Sequence, residues 1–348
     1  MKQVVVVGAG ATMAEAIPGH PKRSERPPLD GTFFELCKYS KIPRQKPIRD
    51  YVLSRFGVDP FLGGFGMEEI FNLIYTDSLQ EPPPAGCLDA YWALLQMYAY
   101  AIGITTNPLS GTSQSGVGKI LRDFFQEKGA RELAFVTFNQ DLVIEKAIES
   151  SRLLAKYSHI PWSLSECYGF PFYDVSPYSK RDQFRNVVGD PSIKIHKLHG
   201  SLNWLYHVRS RSDPKNALRM PKEPLHCINS QSVLTELRYR SAGRMIPVIP
   251  LIVPPIYEKT RFSKNLSSIW KNAAKDISDC DSLVFFGYSL PPADAWARTM
   301  LRAAIHSNKS LRAVSVIDPS AESSVRIREI VGSRSLYHHP NVAAFLGK

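Results

Sequence analysis

Residues 4–12 read VVVVGAGAT, and this strand-like run of valines ending in a glycine turn decides the fold. Two later stretches follow apolar, strand-like runs in the same way. They are residues 137–141 (TFNQD), which follow residues 133–136, and residues 197–201 (KLHGS), which follow residues 193–195. We therefore expect three strands to end at one bound nucleotide.

The last part of the chain continues this alternation of strands and helices. Residues 282–286 have the composition of a fully buried strand, and residues 287–291 (GYSLP) supply the glycine turn after it. A helix over about 293–306 and a second buried strand over 313–317 follow. Such alternation favours a parallel sheet covered on both faces, and the order suits a nucleotide-binding switch point. The sequence predicts an α/β fold, a Rossmann-like and mostly parallel sheet with an inserted helical module.

The length of 348 residues, 44% of them hydrophobic, suffices for a full core. We expect one domain over residues 1–348, with a helical insertion over about 33–128 between the first two nucleotide-facing strands. Residues 82–84 are three prolines, which predict a break between two of its helices. Residues 110–118 are rich in glycine, serine and threonine and predict a loop. The basic, proline-containing stretch 209–224 predicts a surface loop.

The lack of a membrane-spanning or signal-peptide pattern, together with the cysteine spacing, predicts a cytoplasmic protein. The best membrane candidate, residues 90–104, is interrupted by Gln96 and Gly103 and is too short, so it predicts a core helix. The apolar start of the chain is too short for a signal peptide. The cysteines lack the paired spacing of a zinc site and are expected to be free, buried thiols. They are Cys37, Cys87, Cys167, Cys227 and Cys280.

The formal charge of +11 is spread over short basic clusters rather than one tail. Such a surface favours polyanions, whether nucleic acid, a dinucleotide or an acidic protein. The alternative is a basic surface that only interacts with solvent. The clusters are Lys22, Arg23 and Arg26; Lys180, Arg181 and Arg185; Arg209 and Arg211; and Arg238, Arg240 and Arg244.

The glycine turn has a functional and a purely structural interpretation. Its backbone amides can approach a pyrophosphate, and the helix that follows adds the positive end of its dipole. The third glycine of the usual dinucleotide fingerprint is absent, so an ordinary tight turn between strand and helix is the alternative.

The polar residues after the other two strands also allow two interpretations. Asn139 and Asp141 lie two residues apart and would point the same way in an extended segment, where they can bind ribose hydroxyls and a carboxamide. Alternatively, one of them caps a helix that begins near Leu142. His199 precedes Gly200, which permits close approach of a ligand, and an imidazole suits proton transfer near neutral pH. A lone histidine is more often structural.

Together these segments resemble the sirtuin superfamily, and more closely the bacterial sirtuin-like NADase family of antiphage defence proteins. They come in the order that the family has and span nearly the whole chain. The matching segments are residues 8–12, 138–141, 197–201, 252–255, 287–291 and 316–319.

The resemblance implies a Rossmann-like NAD domain and a role for each matching residue. Asn139 corresponds to an asparagine beside the nicotinamide ribose, Asp141 to the residue that holds the nicotinamide carboxamide, and His199 to the catalytic histidine. The residues that correspond to the pyrophosphate cradle are Gly8, Ala9, Gly10 and Thr12. Those in the adenosine-ribose region are Gly287, Ser289 and Asp318.

Two departures from the family matter. Protein-deacylating sirtuins carry a four-cysteine zinc module after the histidine, whereas only Cys227 and Cys280 follow it here, so we expect no zinc. Those enzymes also have Asp-Phe-Arg after Ile-Pro, whereas residues 17–21 read IPGHP. The loop that covers the cofactor is therefore different, and a cation for the phosphates would come from Arg23, Arg26 or elsewhere.

The resemblance leads to NAD glycohydrolase activity, with NAD as the substrate and nicotinamide and ADP-ribose as products, depleting NAD during phage infection. Asn139 would orient the ribose or the attacking water, and His199 would accept a proton. One alternative is a protein deacylase or ADP-ribosyltransferase, and the missing zinc module argues against deacylation. Another is a non-catalytic NAD or ADP-ribose sensor, which would have little use for the histidine.

The expected partners follow from the same resemblance. A cell needs control over an enzyme that destroys its NAD, and the chain has little beyond the sirtuin-like domain. We expect a homo-oligomer or a separate sensing partner, such as a HerA-type ring ATPase or, less in keeping with the family, a nucleic-acid-guided protein. The helical insertion over 33–128 is the expected surface for self-assembly.

Overall fold

The residues at the start of the chain form the centre of a parallel sheet. The computed structural model describes residues 1–19, 22, 25–109, 115–126, 132–153, 167–170, 172–175, 183–185, 192–207, 226–228, 238–241, 244–256, 266–291 and 294–347. The predicted surface loop at 209–224 lies outside these residues, as do Arg23, Lys180, Arg181, Arg209 and Arg211 of the basic clusters.

The strands and helices alternate along much of the chain. In chain order the strands are β1 (Lys2–Val7), β2 (Glu132–Thr137), β3 (Phe172–Val175), β4 (Gln183–Arg185), β5 (Ile193–Lys197), β6 (Gly200–His207), β7 (His226–Ile228), β8 (Arg238–Ser241), β9 (Arg244–Ile252), β10 (Ser282–Phe286), β11 (Ala313–Ile317) and β12 (Ser335–His339). The helices are α1 (Ala9–Gly19), α2 (Phe33–Tyr39), α3 (Gln45–Phe56), α4 (Met67–Ser78), α5 (Cys87–Thr106), α6 (Gly116–Gln126), α7 (Val143–Leu153), α8 (Ser267–Ser278), α9 (Ala295–Ser307), α10 (Ala321–Val331) and α11 (Val342–Phe345).

Six strands form the central sheet in the order β12-β11-β10-β1-β2-β5, and each neighbouring pair is parallel. The valines of β1 are buried because the strand lies in the interior of the sheet, between β10 and β2. Counted within this sheet alone, the order is 6-5-4-1-2-3, which is the order of dinucleotide-binding folds, with the switch point between β1 and β10. The predicted α/β, Rossmann-like fold is confirmed.

Helices α2 to α6 lie between β1 and β2 in the chain, where the helical insertion was predicted. The long helix α5 is buried along most of its length and contacts α2, α3 and α4. The predicted break at the three prolines is confirmed, because α4 ends at Ser78 and α5 begins at Cys87.

The predicted loop over 110–118 is wrong for its last three residues, because α6 begins at Gly116. Two side chains satisfy the first backbone amides of this helix. The Ser115 hydroxyl accepts from the Gly118 amide at 2.8 Å, and the Glu15 carboxylate, from α1, accepts from the Val117 amide at 3.0 Å. These caps start a helix in spite of its two glycines.

A second, mixed sheet was not predicted. Its order is β4-β3-β7-β6-β9-β8, with β3 and β7 parallel and the other pairs antiparallel. Only Leu198 and His199 separate β5 of the central sheet from β6 of the second sheet. The junction between the two sheets therefore lies at the predicted catalytic histidine.

Four cysteine side chains are described, Cys37, Cys87, Cys167 and Cys280, and each is a buried thiol outside any disulfide, as predicted. Burial raises the pKa of Cys280 to about 12, so this thiol stays protonated. Among the described helices, none is both long and apolar enough to cross a membrane.

Candidate functional site

The three predicted motifs meet at one edge of the central sheet. Strands β1, β2 and β5 are parallel neighbours, so the segments after them leave the sheet side by side. The Asn139 side-chain amide donates to the Gly8 carbonyl at 2.9 Å, and the Leu198 amide donates to the Thr137 carbonyl at 2.9 Å. The expectation that three strands end at one place is confirmed, and this place lies beside the switch point.

Glycines at the switch point allow the turns after β1 and β10 to interlock. The Gly8 amide donates to the Phe286 carbonyl at 3.0 Å, and the Gly10 amide to the Gly287 carbonyl at 2.9 Å. A Cβ on Gly8 would lie 2.6 Å from the Gly287 carbonyl oxygen, and one on Gly287, where φ is +58°, 2.1 Å from the Ala11 nitrogen. Packing between the two turns thus accounts for these glycines.

This interlocking leaves few backbone amides of the turn available to bind a pyrophosphate. The amides of Gly8, Gly10 and Ala11 each donate to a backbone carbonyl, so they are engaged within the protein. Ala9 is exposed at the first position of α1, and its amide meets no acceptor among the described residues. The Ala9 amide and the positive end of α1 are what this turn offers to a phosphate.

Thr12, Asn139 and Asp141 form one hydrogen-bonded group. The Asn139 Nδ2 donates to both the Gly8 carbonyl and the Thr12 hydroxyl, each at 2.9 Å, and the Thr12 hydroxyl donates to Asp141 Oδ2 at 2.7 Å. Asp141 Oδ1 accepts from the Val143 amide at 3.0 Å, so the capping interpretation of Asp141 is confirmed. Because both amide hydrogens of Asn139 are used, its Oδ1 is the atom left to contact a ligand.

His199 lies against aromatic rings that the sequence analysis did not select. The ring of Phe138 meets the His199 ring edge-on at 5.3 Å between centroids and stacks on Tyr288 at 4.5 Å. Trp270, from α8, is 6.3 Å from the His199 ring, and its indole nitrogen donates to the Leu198 carbonyl at 3.1 Å. Burial raises the pKa of Tyr288 well above its usual value, so its hydroxyl stays protonated. The rings of Phe138, Tyr288 and Trp270 thus form an uncharged aromatic wall on one side of His199.

Phe138 and Tyr288 lie inside the motifs, directly before Asn139 and directly after Gly287. The signal that could have identified them is this adjacency, since a residue beside a functional one shares its loop. Trp270 carries no such signal, because it lies in a helix far from the motifs in sequence.

A buried ion pair connects two of the motifs and was also missed. Lys197 is 1% exposed and donates through Nζ to Glu145 Oε1 at 2.9 Å and to the Asp141 carbonyl. Glu145, from α7, is fully buried and also accepts from the Tyr168 hydroxyl at 2.7 Å. The pair ties the end of β5, just before His199, to the segment that carries Asp141.

The residues predicted for the adenosine ribose lie on the other side of β1. The Gly287 amide donates to the Ile317 carbonyl at 3.0 Å, which places the ends of β10 and β11 together. Asp318 Oδ1 accepts from the Ser320 amide at 2.8 Å, and the Ser289 carbonyl accepts from Arg326 Nε at 2.7 Å. Gly287, Ser289 and Asp318 therefore share the sheet edge with Gly8, across the switch point from Asn139 and His199.

Two further findings bear on the identity of the site. Comparison with protein-family models and with curated proteins gave no match. In the described part of the chain, no group of three or more His, Cys, Asp or Glu side chains is placed to hold a metal ion. The evidence for the function of the site therefore comes from its residues and their geometry.

Proposed function

We propose that this protein is an NAD glycohydrolase that cleaves NAD to nicotinamide and ADP-ribose. The observation that carries the proposal is the meeting of three motifs at the switch point of a sheet with dinucleotide-binding order. The glycine turn, Asn139 and His199 come from three adjacent strands, β1, β2 and β5. Ligands of such sheets bind outside the carboxyl ends of the strands at the switch point.

The roles that the resemblance implies for the residues on each side of β1 support one orientation of the dinucleotide. The pyrophosphate would lie at the Ala9 amide and the start of α1, where the helix dipole favours negative charge. The adenosine half would extend over the ends of β10 and β11, beside Gly287 and Asp318. The nicotinamide half would then extend over β2 and β5, beside Asn139 and His199.

Cleavage breaks the bond between the nicotinamide nitrogen and C1′ of its ribose, and the bonding electrons leave with nicotinamide. A water oxygen then bonds to C1′ through an oxocarbenium-like transition state. His199 accepts the proton that this water or a ribose hydroxyl releases and returns it to solvent. Asn139 Oδ1 orients the hydroxyl or the water, since its amide hydrogens are held by Gly8 and Thr12.

The aromatic wall supports this chemistry in two ways. The rings of Phe138, Tyr288 and Trp270 shield one side of His199 from water. Aromatic faces also attract positive charge, and both the nicotinamide ring of NAD and the oxocarbenium-like state are positive.

The wider role rests on the resemblance to sirtuin-like defence NADases. On that basis we propose a cytoplasmic protein that depletes NAD during phage infection. Control would come from assembly as a homo-oligomer or with a partner such as a HerA-type ring ATPase.

Release of nicotinamide from NAD by the purified protein tests the activity. The wild type is expected to release nicotinamide, and His199→Ala and Asn139→Ala to lose about a hundredfold or more, as is typical when a positioned base is removed. His306→Ala is the matched control, because His306 is exposed in the last turn of α9, a helix that starts at the site's edge of the sheet and ends away from it.

The outcomes of these assays distinguish hydrolysis of NAD from NAD sensing, deacylation and ADP-ribosyl transfer. Near wild-type turnover in folded His199→Ala would contradict the catalytic assignment. Saturable NAD binding without turnover by the wild type would favour a sensor. Release of nicotinamide only when an acyl-lysine peptide or acceptor protein is present would favour deacylation or ADP-ribosyl transfer.

A further inference from the structure

A cleft of about 590 Å³ lies between α3 and α5 in the helical segment. Its lining comes from these two helices and from the residues that precede each of them. None of the residues assigned to the NAD site above lines it. The volume lies within the range of small-molecule sites, about 300–1,000 Å³.

The floor of the cleft contains one polar group that the protein leaves without a partner. Gln96 is 9% exposed, and its side-chain amide makes no hydrogen bond to any residue that the structure describes. Its amide atoms are not among the fully buried ones, so they remain accessible from the cleft. Trp92 lines the floor only with its ring, because its indole nitrogen is fully buried.

Gln96 is conspicuous because it interrupts a long apolar helix. Its neighbours on α5, Leu94, Leu95 and Met97, are buried in the core. An apolar residue of similar size would pack there without an unsatisfied amide. A glutamine at this position is explained if its amide faces a ligand.

Two charged side chains without partners also line the cleft. Arg44 and Asp89 are exposed, line the cleft and form no ion pair or hydrogen bond with the residues described. Arg44 is also the N-cap residue of α3, whose first turn has no side-chain cap. A cation at an uncapped helix N-terminus favours an anionic group, and a carboxylate such as Asp89 accepts hydrogen bonds from ribose hydroxyls.

We propose that this cleft binds an adenine nucleotide. An amide that offers one donor and one acceptor side by side matches the N7 and N6 positions of adenine, whereas the same edge of guanine presents two acceptors. Arg44 with the start of α3 suits the phosphate. The cleft is a second nucleotide site, and its existence does not depend on hydrolysis of NAD.

Calorimetric titration of the full chain with AMP tests the proposal. AMP is expected to bind saturably, and Gln96→Leu and Arg44→Ala are each expected to weaken this binding about tenfold or more, which is about 1.4 kcal/mol. GMP and ribose 5-phosphate are expected to bind more weakly than AMP, since one has the wrong base edge and the other has no base.

AMP can also bind at the proposed NAD site, so a variant of that site is needed to show which of the two sites AMP occupies. Asp318→Asn alters that site and is expected to leave binding in the cleft intact. Three results would overturn the proposal: no saturable AMP binding at about 1 mM, equal affinity in wild type and folded Gln96→Leu, or loss of binding in Asp318→Asn alone. Thermal unfolding establishes that each variant is folded, and nicotinamide release, measured separately, reports on the proposed NADase.

Discussion

At position 287, no side chain larger than hydrogen fits. A Cβ there would lie 2.1 Å from the Ala11 nitrogen, and the backbone has a left-handed φ of +58°. Gly287→Ala is expected to lower the free energy of unfolding by at least about 2 kcal/mol, since left-handed strain and steric overlap add. Gly31→Ala is the control, because a Cβ there meets nothing within 4 Å, and a change within about 0.5 kcal/mol is expected. Equal effects in urea denaturation would contradict the interlocked turns.

Lys197 and Glu145 provide a second test at single residues. Lys197→Met leaves the Glu145 carboxylate buried without its cation, which typically costs about 3–5 kcal/mol. Adding Glu145→Gln removes that charge, so the double variant is expected to be more stable than Lys197→Met alone. A double-mutant cycle from chemical denaturation measures this coupling, and additive effects would show that the pair is not coupled.

The sequence identifies some of these residues and not others for a physical reason. Asn139 and His199 stand out because each lies two residues beyond a strand, at the sheet edge where ligands of parallel sheets bind. Lys197 is polar too, but its partner Glu145 lies 52 positions earlier and cannot be found from spacing. Phe138 and Tyr288 stack at 4.5 Å across about half of the chain, and each alone is indistinguishable from a core aromatic residue.

At the scale of elements, the difference between the two sheets shows what patterns can predict. Strands β1, β2, β10 and β11 are mostly apolar because helices cover them, so composition alone identifies them. Strand β5 reads IKIHK and is indicated only by its two isoleucines. Strands β3, β4 and β7 span only three or four residues each. Such short segments pair through backbone hydrogen bonds to distant partners, which leave no periodic pattern in the sequence.

One carboxylate links α8 to two strands of the central sheet. Asp276 of α8 pairs with His196 of β5 and with Lys2 of β1, each at 2.6 Å. Burial by itself would raise the pKa of Asp276, but the hydrogen bonds with His196 and Lys2 outweigh it and lower the pKa to about 2.

This pKa predicts how stability depends on pH. Because the folded pKa lies below the unfolded value of about 3.9, Asp276 contributes about 2 kcal/mol above pH 4, and this is lost as the pH falls towards 2. The difference in unfolding free energy between wild type and Asp276→Asn is expected to shrink between about pH 4 and pH 2. Urea denaturation across this range measures it, and a constant difference would contradict the assignment.

At the scale of the whole molecule, five of the eleven large apolar side chains that are exposed among the described residues lie in the helical segment, and six lie elsewhere. Several large apolar side chains there are exposed although the segment has a well-filled core. They are Tyr39, Leu53, Phe56, Leu62 and Leu79. Self-assembly through this segment would bury such side chains, so they are the positions at which the proposed role of the segment is tested.

The proposed self-assembly is tested by removing apolar surface from this segment alone. Wild type is expected to elute as an oligomer in size-exclusion chromatography with light scattering, and Leu62→Glu combined with Leu53→Glu to shift it towards the monomer, because burying two carboxylates in an interface is costly. Val325→Glu is the control, since Val325 is 66% exposed on α10, outside the helical segment. A monomeric wild type, or an equal shift with Val325→Glu, would contradict the role of the helical segment. If the oligomer forms and nicotinamide release falls with its dissociation, assembly is the step that controls the enzyme.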